Sequence, residues 1–144
     1  MGVAELLLKR KQELAAKNLA EGAEYIDRFS KKENVTRLEN GIAYEIITEG
    51  TGSKPTINDS VECHYHGTNT KGEVFDSSVE RGKTATFAIS KVIKGWQEVL
   101  PLMNVGSKWV VVIPSELAYG EEQLSKEIGP NSTLQFEIEL IAIK

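Results

Sequence analysis

The sequence predicts an α+β protein, in which a helical arm precedes a domain of short strands that carries one short helix. Residues 3–31 are rich in Ala, Leu, Glu and Lys, hold no proline and contain one glycine, Gly22, a composition that favours helix. From Gly41 onward the apolar period drops from that of a helix to the two-residue alternation of a strand. A chain of 144 residues accommodates one such domain with an extension but not two full domains. The boundary is placed between an N-terminal helical arm and linker at 1–40 and the sheet domain at 41–144.

Within the arm, Ala15, Leu19, Ala23, Ile26 and Phe29 recur at spacings of three and four, which lines them along one face of a helix. Leu6, Leu7 and Leu8 add an apolar start outside that stripe. An apolar stripe needs a cover, and two covers fit: the chain's own sheet domain, or a second copy in a homodimer through the N-terminal helix. Beyond Gly41, Ile42, Tyr44 and Ile46 alternate with Ala43, Glu45 and Ile47, and Glu49-Gly50-Thr51-Gly52 then turns the chain. Further strands are expected at 61–68, 84–89 and 108–114. The last strand is the clearest, because Leu134, Phe136, Ile138 and Leu140 alternate with Gln135, Glu137 and Glu139. A short helix is expected from Lys94-Gly95-Trp96, with Pro101 shortening or kinking it, and residues 120–131 read as a loop.

Composition narrows the function classes. The formal net charge of −4 provides no basic field for nucleic acid or anionic lipid. Cys63 is the single cysteine, so no internal disulfide framework exists. No apolar run approaches the roughly 18 residues that would span a bilayer as a helix. The start, Met1-Gly2-Val3-Ala4-Glu5, lacks the charged-then-apolar order of a secretory signal. Leu6 and Leu7 stand where a myristoylation motif at Gly2 wants small polar residues. The expected compartment is the cytoplasm, with the periplasm as the alternative if the chain is a trimmed precursor.

Several side chains invite chemistry. His64 and His66 are two apart on an expected strand and share a face, but Cys63 and Tyr65 then share the other face, which the apolar body of Tyr65 marks as inner. Two outward histidines without a third ligand read as surface residues rather than a metal site. An inward Cys63 reads as inert core. Asp76-Ser77-Ser78 has no histidine placed as its base, and serines in such a turn bond nearby backbone. Gly120 and Gly129 flank a loop with no phosphate-cradling pattern. What remains is a gathering of aromatics near turns: Tyr65, Phe75, Phe87, Trp96, Tyr119 and Phe136. Taken alone, these make either a β-domain core or the walls of a pocket.

Their contexts are more specific. In chain order they are Val61-Glu62-Cys63-His64-Tyr65-His66-Gly67-Thr68, Val74-Phe75-Asp76-Ser77-Ser78, Val92-Ile93-Lys94-Gly95-Trp96, Val105-Gly106, Ile113-Pro114-Ser115-Glu116-Leu117-Ala118-Tyr119-Gly120 and Pro130-Asn131-Ser132-Thr133-Leu134-Gln135-Phe136. This series resembles the FKBP-type peptidyl-prolyl cis–trans isomerases across roughly residues 42–143. Upstream, Asn18-Leu19-Ala20-Glu21-Gly22 and Asn40-Gly41-Ile42-Ala43-Tyr44 resemble the bacterial Mip-like branch, where a long helix leads into the isomerase domain.

The resemblance implies a twisted antiparallel β-sheet wrapped around the short helix, with the pocket between them. Trp96 would form the pocket floor, and Tyr65, Phe75, Val92, Ile93, Phe87, Tyr119 and Phe136 its walls. The Ile93 N–H and the Tyr119 hydroxyl would orient a bound peptide. Asp76 would sit at the edge, held by Tyr65 and Arg81. Catalysis would fall to Asp76, Tyr119, Ile93 and Trp96, and peptide binding to the other wall residues with Arg81. The implied partners are proline-containing polypeptides and macrolide inhibitors such as rapamycin. No metal, cofactor or nucleic acid is implied, because rotation about an X-Pro amide needs no covalent step. A peptide-binding or chaperone module with little turnover is the alternative.

The chain also departs from the family pattern. Thr84-Ala85 replaces an aromatic or proline after the Asp-Ser-Ser turn, which lowers one expected wall. Ile128-Gly129-Pro130 stands where Ile-Pro-Pro is usual, exchanging a fixed φ for a free one. Leu124 and Glu127 stand where His and Ile are common. Glu121, Glu122 and Glu127, offset by Lys126, put negative charge on a loop expected to overhang the pocket, which reads either as a solvated, functionally silent loop or as a bias toward substrates with Lys or Arg near the proline.

Overall fold

The computed structural model describes residues 2–144. Helix α1 runs from Val3 to Ser30, 28 residues without a break, as the proline-free composition demands. At its end the Ser30 hydroxyl donates to Ile26 O at 2.7 Å, and the chain turns into β1, Val35–Arg37. This strand pairs antiparallel with β2, Ala43–Thr48, so three residues of the linker belong to the sheet. The remaining strands are β3 (Ser60–Asn69), β4 (Val74–Ser77), β5 (Ala85–Ala88), β6 (Lys108–Ile113) and β7 (Leu134–Ile143). Two further helices are short: α2, Ser78–Arg81, and α3, Lys94–Val99.

The sheet order is β1-β2-β6-β7-β3-β4, with β5 also paired to β3, and every pairing is antiparallel. Strand β3 is central: β7 lies along one edge, while β5 and β4 share the other, beside residues 60–63 and 66–68 respectively. Its burial alternates along its whole length, which puts Val61, Cys63 and Tyr65 on the inner face and His64 and His66 on the outer. Helix α3 packs across that inner face, with Trp96, Val99 and Leu100 buried against Trp109, Val111 and Ile138. Pro101 sits where α3 passes into a 3₁₀ turn at Leu100–Leu102, the shortening expected of a proline that lacks an N–H.

The arm covers part of the outer face. Ile26 and Phe29 pack with Ala43 and Val112 in a second apolar cluster, and burying those two side chains contributes about 1.5–3 kcal/mol each. This explains why Ile42 and Ala43 are both fully buried although they point to opposite faces. The buried stripe differs from the one the spacing predicts. Leu19 is 53% exposed and Ala23 is exposed, whereas Asn18 and Tyr25 are half-buried. The helix is rotated toward them because Gly22 sits directly on Thr133, where a Cβ would meet Oγ1 at 2.2 Å. Polar bonds complete the contact: Asn18 Nδ2 donates to Pro130 O at 2.8 Å, and the Tyr25 hydroxyl donates to Gln135 Oε1. Leu6, Leu7 and Leu8 remain exposed.

Candidate functional site

The pocket is built where α3 meets the open end of the sheet. Trp96 lies in the first turn of α3 and is 4% exposed. Its indole stands nearly perpendicular to three rings: Tyr65 from β3 (81°), Phe87 from β5 (84°) and Phe136 from β7 (86°), with centroids 5.3–5.5 Å away. Edge-to-face contacts of this kind suit the ring quadrupoles, so the floor and walls hold one another in place. Phe75 from β4 closes the side at 5.5 Å and 89° to Phe136. Gly67 makes room for it, since a Cβ there would lie 2.6 Å from Phe75 Cζ.

These rings enclose a cavity of about 330 Å³, also lined by Asp76, Val92, Ile93 and Tyr119. All the residues expected to form floor and walls converge there. Arg81 does not line it. Its guanidinium lies over the Tyr65 ring, 5.7 Å from the centroid, and bonds Asp76 and the Tyr65 oxygen. Lys91 does line it, a residue the sequence reading missed, because its position in a 3₁₀ turn before Val92 leaves no periodic signal. None of Glu121, Glu122 and Glu127 reaches this cavity. Glu127 instead lines a polar cleft between α1 and the 120–131 loop.

Asp76, Tyr65 and Arg81 form one network. The Tyr65 hydroxyl donates to Asp76 Oδ2 at 2.6 Å and accepts from Arg81 at 2.9 Å. Burial pushes the Asp76 carboxyl up, but the bonds from Tyr65 and Arg81 and the guanidinium charge outweigh it and leave its pKa below the ordinary carboxylate value. Burial, followed by the bond to Asp76, raises the Tyr65 pKa. Burial and the Asp76 charge raise that of Tyr119. Both tyrosines therefore keep their protons at neutral pH. Among the described residues, no hydrogen bond engages the Ile93 N–H or the Tyr119 hydroxyl. Three donors without acceptors therefore belong to residues that line the cavity: the Ile93 N–H, the Tyr119 hydroxyl and the Trp96 indole N–H, which is buried without a partner.

The other candidate groups are committed elsewhere. Burial pushes the Cys63 thiol up to about 12, which keeps it from being a nucleophile at neutral pH. His64 Nδ1 lies 2.9 Å from Ser78 Oγ, and His66 Nδ1 lies 2.8 Å from Ser77 Oγ, pairs that sequence order does not reveal. Ser78 Oγ is held by the Tyr65 N–H and carbonyl, and Ser77 Oγ caps α2 by accepting the Glu80 N–H, so each hydroxyl serves the backbone. No group of three or more His, Cys, Asp or Glu among the described residues is arranged to hold a metal ion.

Comparison with known proteins agrees with this geometry. Residues 51–141 match the family model described as FKBP-type peptidyl-prolyl cis-trans isomerase, and residues 2–46 match the domain amino terminal to it. The FKBP-type 22 kDa peptidyl-prolyl cis-trans isomerase of Escherichia coli is 49% identical over 86% of this chain and 60% of its own length. The outer membrane protein MIP of Legionella longbeachae is 44% identical over 97% of this chain and 61% of its own. The chain therefore spans about 60% of the length of these curated relatives. Among solved structures, FkpA from Escherichia coli superposes with a TM-score of 0.91 at 39% identity, over 95% of this chain and 64% of that one. A peptidyl-prolyl cis-trans isomerase from Pseudomonas syringae gives 0.83 at 38%, over 90% and 96%.

Proposed function

The chain belongs to the FKBP-type peptidyl-prolyl cis–trans isomerase family, and on that premise we propose that its aromatic pocket accelerates cis–trans isomerisation of X-Pro bonds in folding polypeptides. The observation that carries this reading is the pairing of a Trp96-floored apolar cavity with unengaged donors on its lining residues, among them the Ile93 N–H and the Tyr119 hydroxyl.

The mechanism follows from the physics of the amide. Resonance opposes rotation with a barrier of about 18–20 kcal/mol. The planar ground state is the more dipolar species and water solvates it better, so a dry site favours the twisted form relative to it. The proline ring enters between Tyr65, Phe87 and Phe136 and rests on Trp96. The Ile93 N–H and Tyr119 hydroxyl bond substrate carbonyls and hold the flanking chain while the amide turns. Asp76 keeps the Tyr65 wall in place through its hydroxyl. Interactions made more strongly with the twisted geometry lower the barrier.

Residues 1–40 serve as arm and linker, the linker lending β1 to the sheet, and residues 41–144 form the catalytic domain. Rapamycin-like macrolides would occupy the same cavity. The exposed leucines at the start of α1 support a homodimer through that helix. The name of the Legionella relative, an outer membrane protein, supports the periplasmic alternative over the cytoplasm. The test is a proline-limited refolding reaction. Substoichiometric protein should accelerate the slow phase, and an unchanged slow phase at stoichiometric protein would leave a peptide-holding module instead.

A further inference from the structure

We propose that α1 is a positioning element of the pocket, holding Tyr119 in place through Asn18, Asn131 and the neck of the 120–131 loop. This rests on the isomerase reading of the pocket, but the linkage stands on contacts of its own. Tyr119 lines the cavity, and the next residue, Gly120, is one side of the loop's neck. The Gly120 N–H bonds Ser115 O at 2.8 Å, and its carbonyl accepts the Asn131 N–H at 2.7 Å. The neck therefore fixes the peptide unit that leaves Tyr119.

Asn131 is the other side of the neck and is the described non-glycine residue with positive φ, at 57°. Asparagine tolerates that left-handed conformation better than most residues. Besides its N–H bond to Gly120 O, it is held from the arm. Asn131 Nδ2 donates to Ala15 O at 3.3 Å, and from the opposite direction Asn18 Nδ2 donates to Pro130 O at 2.8 Å. Two side-chain amides, one from each partner, clamp the helix to consecutive residues of the neck. Gly129 lies under the clamp, where a Cβ would come within 3.0 Å of Asn18 Nδ2. At the far end, Asn69 Nδ2 ties the loop to β3 through Glu127 O at 3.0 Å.

The departure at Ile128-Gly129-Pro130 acquires a physical reading. A glycine leaves φ free, and here the constraint is supplied from outside, by a helix packed on the loop. Shape at the Tyr119 hydroxyl then depends on residues of α1 that never touch substrate.

The test uses the whole chain with Asn18→Leu, which removes the donor at similar volume, and Asn131→Gly, which keeps the positive φ and removes the side-chain amide. Two readouts are taken: kcat/KM on a proline peptide, in wild-type and Tyr119→Phe backgrounds, and amide hydrogen exchange at Gly120 and Asn131. Each substitution should lower kcat/KM about three- to tenfold, with no further loss in the Tyr119→Phe background. Each should also speed exchange at the two neck amides while β7 amides stay protected. Unchanged activity, an equal loss in both backgrounds, or unchanged exchange would overturn the proposal. If the wild-type chain shows no isomerase activity, the functional reading fails separately and exchange at the neck alone decides the linkage.

Discussion

Replacing Asp76 with valine removes the acceptor of the Tyr65 hydroxyl and of the Arg81 guanidinium at once. Tyr65 is only 6% exposed, and its ring is one wall of the cavity, so its hydroxyl loses the acceptor that fixes the wall. Stranding a buried donor costs about 1–3 kcal/mol. Arg81 is solvent-exposed and adds nothing comparable. Spent on pocket geometry, that range lowers kcat/KM by about five- to 150-fold. Tyr119→Phe removes one hydroxyl bond to substrate and strands nothing in the free protein, so it costs about 0.5–1.5 kcal/mol, roughly two- to twelvefold. Asp76→Asn keeps an acceptor oxygen facing Tyr65 and should stay near wild type. The assay is peptide isomerisation with each variant, alongside thermal unfolding to confirm folding. Asp76→Val activity equal to wild type, or Asp76→Asn as damaged as Asp76→Val, would refute the view that the carboxylate acts by holding Tyr65.

Gly67→Ala places a methyl group against Phe75 and Phe136. Overpacking should cost about 1–3 kcal/mol in urea unfolding and also lower kcat/KM; full activity would mean the Phe75 wall is dispensable. A rapamycin-like macrolide should bind saturably and change Trp96 fluorescence, with Trp109, stacked on Tyr44 at 4.2 Å, as the background signal. Saturable binding whose signal persists in Trp96→Leu would place the ligand elsewhere. Activity should be level from about pH 5 to 9. The Asp76 pKa is lowered, so its contribution is present above the ordinary carboxylate value and lost only as pH falls through the lower, folded one. Tyr65 and Tyr119 are raised, so their protons are lost only above the ordinary tyrosine value. A bell-shaped profile centred near neutrality would indicate acid–base chemistry that this site does not contain.

The strands that alternate cleanly were legible in the sequence: β3 and β7 lie where Val61, Cys63 and Tyr65 and the even positions of 134–140 place them. The aromatic set was legible through its motifs, since each ring lies in a stretch of chain that resembles the family pattern, even Tyr65 in the middle of β3. The rotation of α1 was not, because hydrophobic spacing cannot see that Gly22 lets the helix sink onto Thr133. Strand β4 escaped notice because four residues carry too little period to register. Lys91 and the placement of the 120–131 loop carboxylates depend on how irregular backbone folds back, which local composition does not encode. The Ser77 and Ser78 contacts with His66 and His64 likewise arise from strand pairing across the sheet.

The central claim is that the pocket lowers the barrier to X-Pro rotation rather than merely holding proline. Magnetisation exchange by NMR between the cis and trans signals of a short X-Pro peptide reads that step without any coupled folding. Uncatalysed interconversion takes tens to hundreds of seconds, so no exchange is seen on a one-second timescale without enzyme. At micromolar protein and millimolar peptide, exchange should appear within a second, weaken in Asp76→Val and disappear with excess macrolide. Peptide signals that broaden on binding while cis and trans stay unexchanged would contradict the account.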